Sequence, residues 1–167
     1  MALNHRFKKA AVLIPAYMQD GEISILFTKR SDLVEHHKGQ ICFPGGSVDE
    51  QDLSLWYTAL RETNEEIGIT AEKIFYICEL SKLRTPSFFE ITPFLGFIHT
   101  DFTLKLNPSE IDTIFSVPVS HFFDETNVRF QELLLIDKTI HSPCYVFKEH
   151  EIWGATARIL YGLLEKW

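Results

Sequence analysis

Cysteine is scarce in this chain: Cys42, Cys78 and Cys144 are odd in number, far apart and without a CxxC pair. That excludes a disulfide framework and a thiolate zinc cluster, and buried free thiols in a reducing compartment are the expected state. Positive charge is also short, with 16 basic residues against 23 acidic ones and a net charge of -7. An extended nucleic-acid footprint needs a basic face, so no nucleic-acid partner is expected. A small anionic substrate stays open, because a bound cation inverts the local field. No uncharged apolar stretch of signal-peptide or membrane-spanning length follows Met1. The final Glu165-Lys166-Trp167 is no peroxisomal address, so a cytoplasmic protein without a membrane partner is expected. Repeats, linkers and low-complexity stretches are missing, and no Ser, Cys or Lys stands in a recognisable nucleophile motif.

What is there suits one domain over residues 1–167, since a single core serves chains of up to about 250 residues. Fourteen Phe and three Trp supply the apolar bulk. Ala10 to Ile14 is a continuous apolar run, as in a strand covered on both faces. Asp20-Gly21 signals a tight turn, and Ile23, Ile25 and Phe27 then alternate with polar neighbours along a returning strand. Ser31 to Gln40 reads as a loop and Ile41-Cys42-Phe43 as a short strand stopped by Pro44-Gly45-Gly46. A helix is predicted from Leu53 to Ile67, with Asp52 as N-cap and Gly68 as stop. Further strands are expected at Ile74–Leu80, Ile91–Ile98, Ile111–Val117, Leu133–Ile136 and Tyr145–Phe147. A last helix near Trp153–Glu165 carries Trp153, Ala157, Leu160 and Leu164 on one stripe, which reads as packing rather than ligand contact. The expected class is α/β (α+β), a mixed sheet between helices.

Chemistry concentrates in Leu60-Arg61-Glu62-Thr63-Asn64-Glu65-Glu66-Ile67-Gly68-Ile69. A helix advances about 100° per residue, so Glu62, Glu65 and Glu66 share one face. Leu53, Trp56, Tyr57, Leu60 and Ile67 are expected to form the core-facing side. Like charges three and four residues apart repel, and only Glu65 has a helical partner, Arg61. A solvated acidic face is one reading of such a pattern. The other is a site for a hard cation, which binds a few carboxylates and completes its shell with phosphate and water. Phe43-Pro44-Gly45-Gly46 just before the helix favours the second, because glycines let backbone approach a metal or phosphate closely.

Residues 61–69 resemble the signature of the Nudix family, Arg-Glu-apolar-x-Glu-Glu-x-Gly-apolar, with Thr63 in an apolar slot. Gly46 lies one residue too far from Arg61, and Leu53 stands where the signature has an early glutamate. The resemblance implies a Nudix-type α/β/α sandwich and a pyrophosphate hydrolase that uses Mg2+ or Mn2+. Glu62, Glu65, Glu66 and the Gly45 carbonyl would be metal ligands, with Arg61 holding the carboxylates and Glu65 taking part in catalysis. A carboxylate outside the helix often completes such sites, and Glu110, before a strand, is the candidate; a plain surface charge is the alternative.

Upstream, Leu26-Phe27-Thr28-Lys29-Arg30-Ser31 and Gly39-Gln40-Ile41-Cys42-Phe43-Pro44-Gly45-Gly46 resemble the motif of the coenzyme A pyrophosphatase branch. Ile91-Thr92-Pro93-Phe94-Leu95-Gly96 and Trp153-Gly154-Ala155-Thr156-Ala157 are similar to it as well. The motif's second arginine is Glu35 here, followed by His36, His37 and Lys38. Arg30, His37, Lys38 and Gly46 are therefore the candidate substrate-binding residues, for a CoA-like small molecule. Other Nudix substrates (dinucleotides, nucleotide sugars, nucleoside triphosphates) and a non-catalytic sensing module are the alternatives, and a homodimer is an assembly the sequence allows. Glu62→Gln and Glu66→Gln should each lower turnover by on the order of a hundredfold with folding retained, since each removes charge from the cation site. Wild-type turnover in either variant contradicts the metal assignment.

Overall fold

Strand alternation divides the core into two layers in the computed structural model, which describes residues 7–34, 37–99, 101–135 and 138–167. β1 (Lys8–Gln19) turns Ala11 and Leu13 to one face of the main sheet and Ile14 and Ala16 to the other. β2 (Glu22–Arg30) does the same with Leu26 on the first face and Ile25 and Phe27 on the second. Asp20 and Gly21 join the two strands with φ of 52° and 83°, the left-handed conformations a two-residue hairpin needs.

The remaining elements are β3 (Ile41–Cys42), β4 (Gly45–Ser47), α1 (Leu55–Ile67), β5 (Ile74–Glu79), β6 (Leu83–Arg84) and β7 (Phe89–Ile98). After them come β8 (Ile111–Pro118), β9 (Val128–Leu134), β10 (Thr139–Phe147), β11 (His150–Ile152) and α2 (Gly154–Leu164). The main sheet runs β3-β2-β1-β7-β5, with β4 on β1, β6 on β7 and β8 on β2. It is mixed: β1 pairs β7 in parallel and β2 antiparallel. A second, antiparallel sheet runs β11-β10-β9. One face of the main sheet meets α1 through Ala59 and Ile67, and the other meets α2 and the small sheet through Ala157, Leu160, Tyr145 and Ile152. The expected sandwich of helices around a mixed sheet is what forms.

Three local expectations are corrected. Ser54, not Asp52, caps α1: its side chain accepts the Tyr57 N–H at 3.1 Å. Leu53 is 89% exposed and Tyr57 45% exposed, so neither belongs to the core; the helix begins after Leu53 and its buried face is Thr58, Ala59, Thr63 and Ile67. Trp153 is 41% exposed rather than packed, because α2 starts only at Gly154, whereas Ala157 and Leu160 are buried as expected. Thr63 fits its apolar slot by donating its hydroxyl to the Ala59 carbonyl at 2.7 Å, which leaves no buried donor unmade.

Sequence patterning also understated the sheets. Gly45–Ser47, read as a strand stop, is itself a strand on β1. β6 and β11 are short, and β9 is half exposed, so their periodicity is weak. Glu35 and His36, and the expected strand end at Ile136, lie outside the described residues.

Candidate functional site

α1 presents its acidic face to the seam where β4 crosses β1. Arg61 organises that face. Its Nε donates to Asp52 Oδ1 at 2.8 Å and its Nη2 to Asp52 Oδ2 at 3.0 Å, a bidentate pair. Nη1 donates to Glu62 at 2.9 Å and to Glu65 at 3.1 Å, and Nη2 also reaches the Ser47 carbonyl at 3.2 Å. Asp52 further accepts from the Thr58 hydroxyl at 2.7 Å and the Asp49 N–H at 2.9 Å, and its side chain is 1% exposed. The arginine's hydrogen bonds hold the Asp52 carboxyl well below the usual carboxylate range. This anchoring role was missed in sequence, where Asp52 read as a cap; an acid one helical approach before Arg61, in place of the signature's glutamate, was the available signal.

Glu66 is the deepest carboxylate, 1% exposed. The Gly45 N–H donates to it at 3.3 Å, and an Arg30 guanidinium nitrogen lies 3.7 Å away. Burial pushes its carboxyl up to about 8; Arg30 opposes the rise, while the charges of Glu62 and Glu110 add to it. Glu62 is raised for the same first reason, with Arg61 opposing and Glu65 and Glu110 adding. Glu62, Glu66 and Glu110 are thus near enough to act on one another. Glu65 is half-exposed and shares the Arg61 Nη1 with Glu62. Glu110 accepts from the Asn107 amide at 3.0 Å.

Both glycines sit in tight quarters, Gly45 against backbone and Gly46 against a carboxylate. A Cβ at Gly45 would strike the Ala11 carbonyl and Val12, and one at Gly46 would lie 2.5 Å from the Glu62 carboxylate. Among the described residues no three His, Cys, Asp or Glu side chains close into a finished metal cage. The donor set nonetheless suits a divalent cation: hard carboxylate oxygens, repelling one another in a buried seam, with glycine backbone alongside.

A cavity of about 1140 Å³ opens beside this seam. Arg30, His37, Gly45, Gly46 and Glu110 lie on its wall, together with Phe89 and Leu133 and the first turn of α2 from Trp153 to Thr156. Arg30 Nε is buried there without a hydrogen-bond partner. His37 is held in a left-handed conformation, φ 59°, with its ring 2.9 Å from the Gln40 amide oxygen. Lys38 is exposed and off the wall. Burial pushes the Cys42 thiol up to about 11, with Glu66 adding, so it is no nucleophile.

The NUDIX domain model matches residues 7–138. The chain belongs to the Nudix family. A Nudix hydrolase called NudL, uncharacterized, from Photorhabdus laumondii is 32% identical over 164 residues, 98% of this chain and 87% of that protein. Its namesake in Yersinia enterocolitica is 35% identical over 159 residues, covering 94% and 80%. Among solved structures, a C. elegans Ap4A hydrolase superposes with a TM-score of 0.58 at 22% identity, covering 66% of this chain and 80% of that one. The Nudix domain of Shewanella oneidensis NrtR with ADP ribose gives 0.53 at 17% identity, covering 70% and 76%. The protein is a Nudix hydrolase, of a family that generally uses divalent metal ions. No described helix is long and apolar enough to cross a membrane.

In this Nudix domain Asp52 should behave as a charged anchor. A carboxyl depressed on folding stabilises the protein above its unfolded pKa, about 3.9, and that contribution is lost as pH falls through the lower folded value. Asp52→Asn should therefore cost about 2 kcal/mol at pH 7, with the gap narrowing below about pH 4. Chemical denaturation at both ends of that range checks it, and a gap that does not change with pH contradicts it.

Proposed function

We propose that this Nudix hydrolase cleaves the diphosphate of coenzyme A or an acyl-CoA, releasing adenosine 3′,5′-bisphosphate and 4′-phosphopantetheine or its acyl form. One observation carries the reading. The segments that resemble the CoA branch are far apart in sequence, yet Arg30, residues 40–43, Gly45, Gly46, Ile91 and residues 153–156 from them contribute to the wall of one cavity. At about 1140 Å³ that cavity exceeds the usual range of roughly 300–1,000 Å³ for small-molecule sites, which favours a long ligand.

Glu62, Glu65 and Glu66, with the Gly45 carbonyl, would hold Mg2+ or Mn2+. Bound there, the ion offsets phosphate charge and makes water a better nucleophile. The chain's own groups do the rest. Arg30 turns its unpartnered Nε to the phosphate oxygens; an arginine cannot shed its charge to escape burial, so an anion is its natural partner. Glu110, steadied by Asn107, takes the proton of the attacking water. The water oxygen bonds to phosphorus as the bridging P–O bond breaks, and the leaving phosphate departs with the electron pair. Arg61, fixed by Asp52, keeps Glu62 and Glu65 in register. His37 borders the same cavity and Gly46 leaves room beside Glu62.

A substrate panel with product identification tests this. CoA should yield adenosine 3′,5′-bisphosphate with a kcat/KM at least about tenfold above those for Ap4A, ADP-ribose, ATP and NADH. A preference for any of the other four assigns the site to that nucleotide instead.

A further inference from the structure

Among the described residues, Arg30 and Arg158 are the arginines on the cavity wall, and His37 lies there too. Arg30 faces Glu66 at 3.7 Å, and His37 engages Gln40. Arg158 has no acidic partner among the described residues and makes no side-chain hydrogen bond. It is partly buried, and burial alone lowers its pKa, with no carboxylate acting on it. Among the described residues no ion pair links it to Glu62, Glu66 or Glu110, whereas Glu66 faces Arg30 and Glu62 faces Arg61.

An arginine stays charged when buried, and a buried charge is ordinarily paired. α2 is otherwise uncharged over Gly154–Leu164, so Arg158 is a lone cation on an apolar helix. Its neighbours one turn back, Gly154 and Ala155, are also on the cavity wall and are small, which leaves space beside the guanidinium. Thr156 pins this turn to β3 by donating its hydroxyl to the Ile41 carbonyl at 3.1 Å. The cation is therefore presented on a fixed wall.

We propose that Arg158 binds an anionic group of the substrate other than the diphosphate being cut. The proposal rests on the coenzyme A reading, under which that group is the phosphate monoester on the ribose, the one further anion CoA carries. Arg158 then selects CoA over its dephosphorylated form. The loop that carries His37 is left to border the cavity, since Lys38 lies off its wall.

Steady-state kinetics of the Mg2+-loaded enzyme on CoA and dephospho-CoA test the assignment. Wild type should favour CoA in kcat/KM by roughly tenfold or more, the scale of one charge-assisted hydrogen bond. Arg158→Gln should bring the ratio of the two values towards one, mainly through the KM for CoA, and Arg158→Lys should keep part of it. In wild type the preference should shrink as salt rises, a reading that needs no variant to fold. A wild type that does not distinguish the two compounds, or an Arg158→Gln with the wild-type ratio, overturns the proposal. Failure to cut either compound instead overturns the coenzyme A reading itself.

Discussion

Carboxylates gathered in a buried seam, where desolvation first and mutual repulsion second disfavour their charge, are the constraint around which the site is arranged. Glu66 is closed off from solvent, and its nearest opposing charge is Arg30 at 3.7 Å, longer than a hydrogen bond. Glu62 and Glu110 add to the strain. Isolated buried charge is expensive, so the surroundings must hold it in place. From the helix side Arg61, itself fixed by Asp52, holds Glu62 and Glu65. From the sheet the Gly45 N–H holds Glu66. Backbone at Ala11 and Val12 leaves no room for a side chain at Gly45, and a Cβ at Gly46 would displace the Glu62 carboxylate. Under the proposed function, a divalent cation bound there would relieve that repulsion.

Beyond the seam, the second sheet and α2 give the catalytic scaffold a wall. Leu133 and the start of α2 border the cavity that the main sheet opens beside Arg30 and Glu110. The cavity wall is thus shared between the main sheet, with Arg30 and Gly46, and the later elements β9 and α2.

In the sequence, helical period placed Glu62, Glu65 and Glu66 on one side of the helix; Glu62 and Glu66 meet Gly46 and Gly45, whereas Glu65 is half-exposed on Arg61. Glu110 could be named from its position before a strand, though its hydrogen bond from Asn107 could not. The helix start was misplaced by two residues because Asp52 and Ser54 are both good caps, and only the fold shows Asp52 spent on Arg61 instead. Leu53 and Tyr57 looked like core because amphipathic counting ignores where a helix begins. Trp153 looked like packing for the same reason. Arg158 was not singled out at all: a lone arginine in an apolar helix is conspicuous only once its neighbours on the cavity wall are known.

Everything in the proposed chemistry depends on Glu66 and its neighbours holding a divalent cation. Calorimetric titration of Mn2+ into the metal-free wild type and Glu66→Gln, without nucleotide, tests it most directly. Wild type should bind the ion, and the loss of one buried carboxylate should weaken that binding by at least about tenfold. Equal affinity in the two proteins, or no binding to wild type, would contradict it.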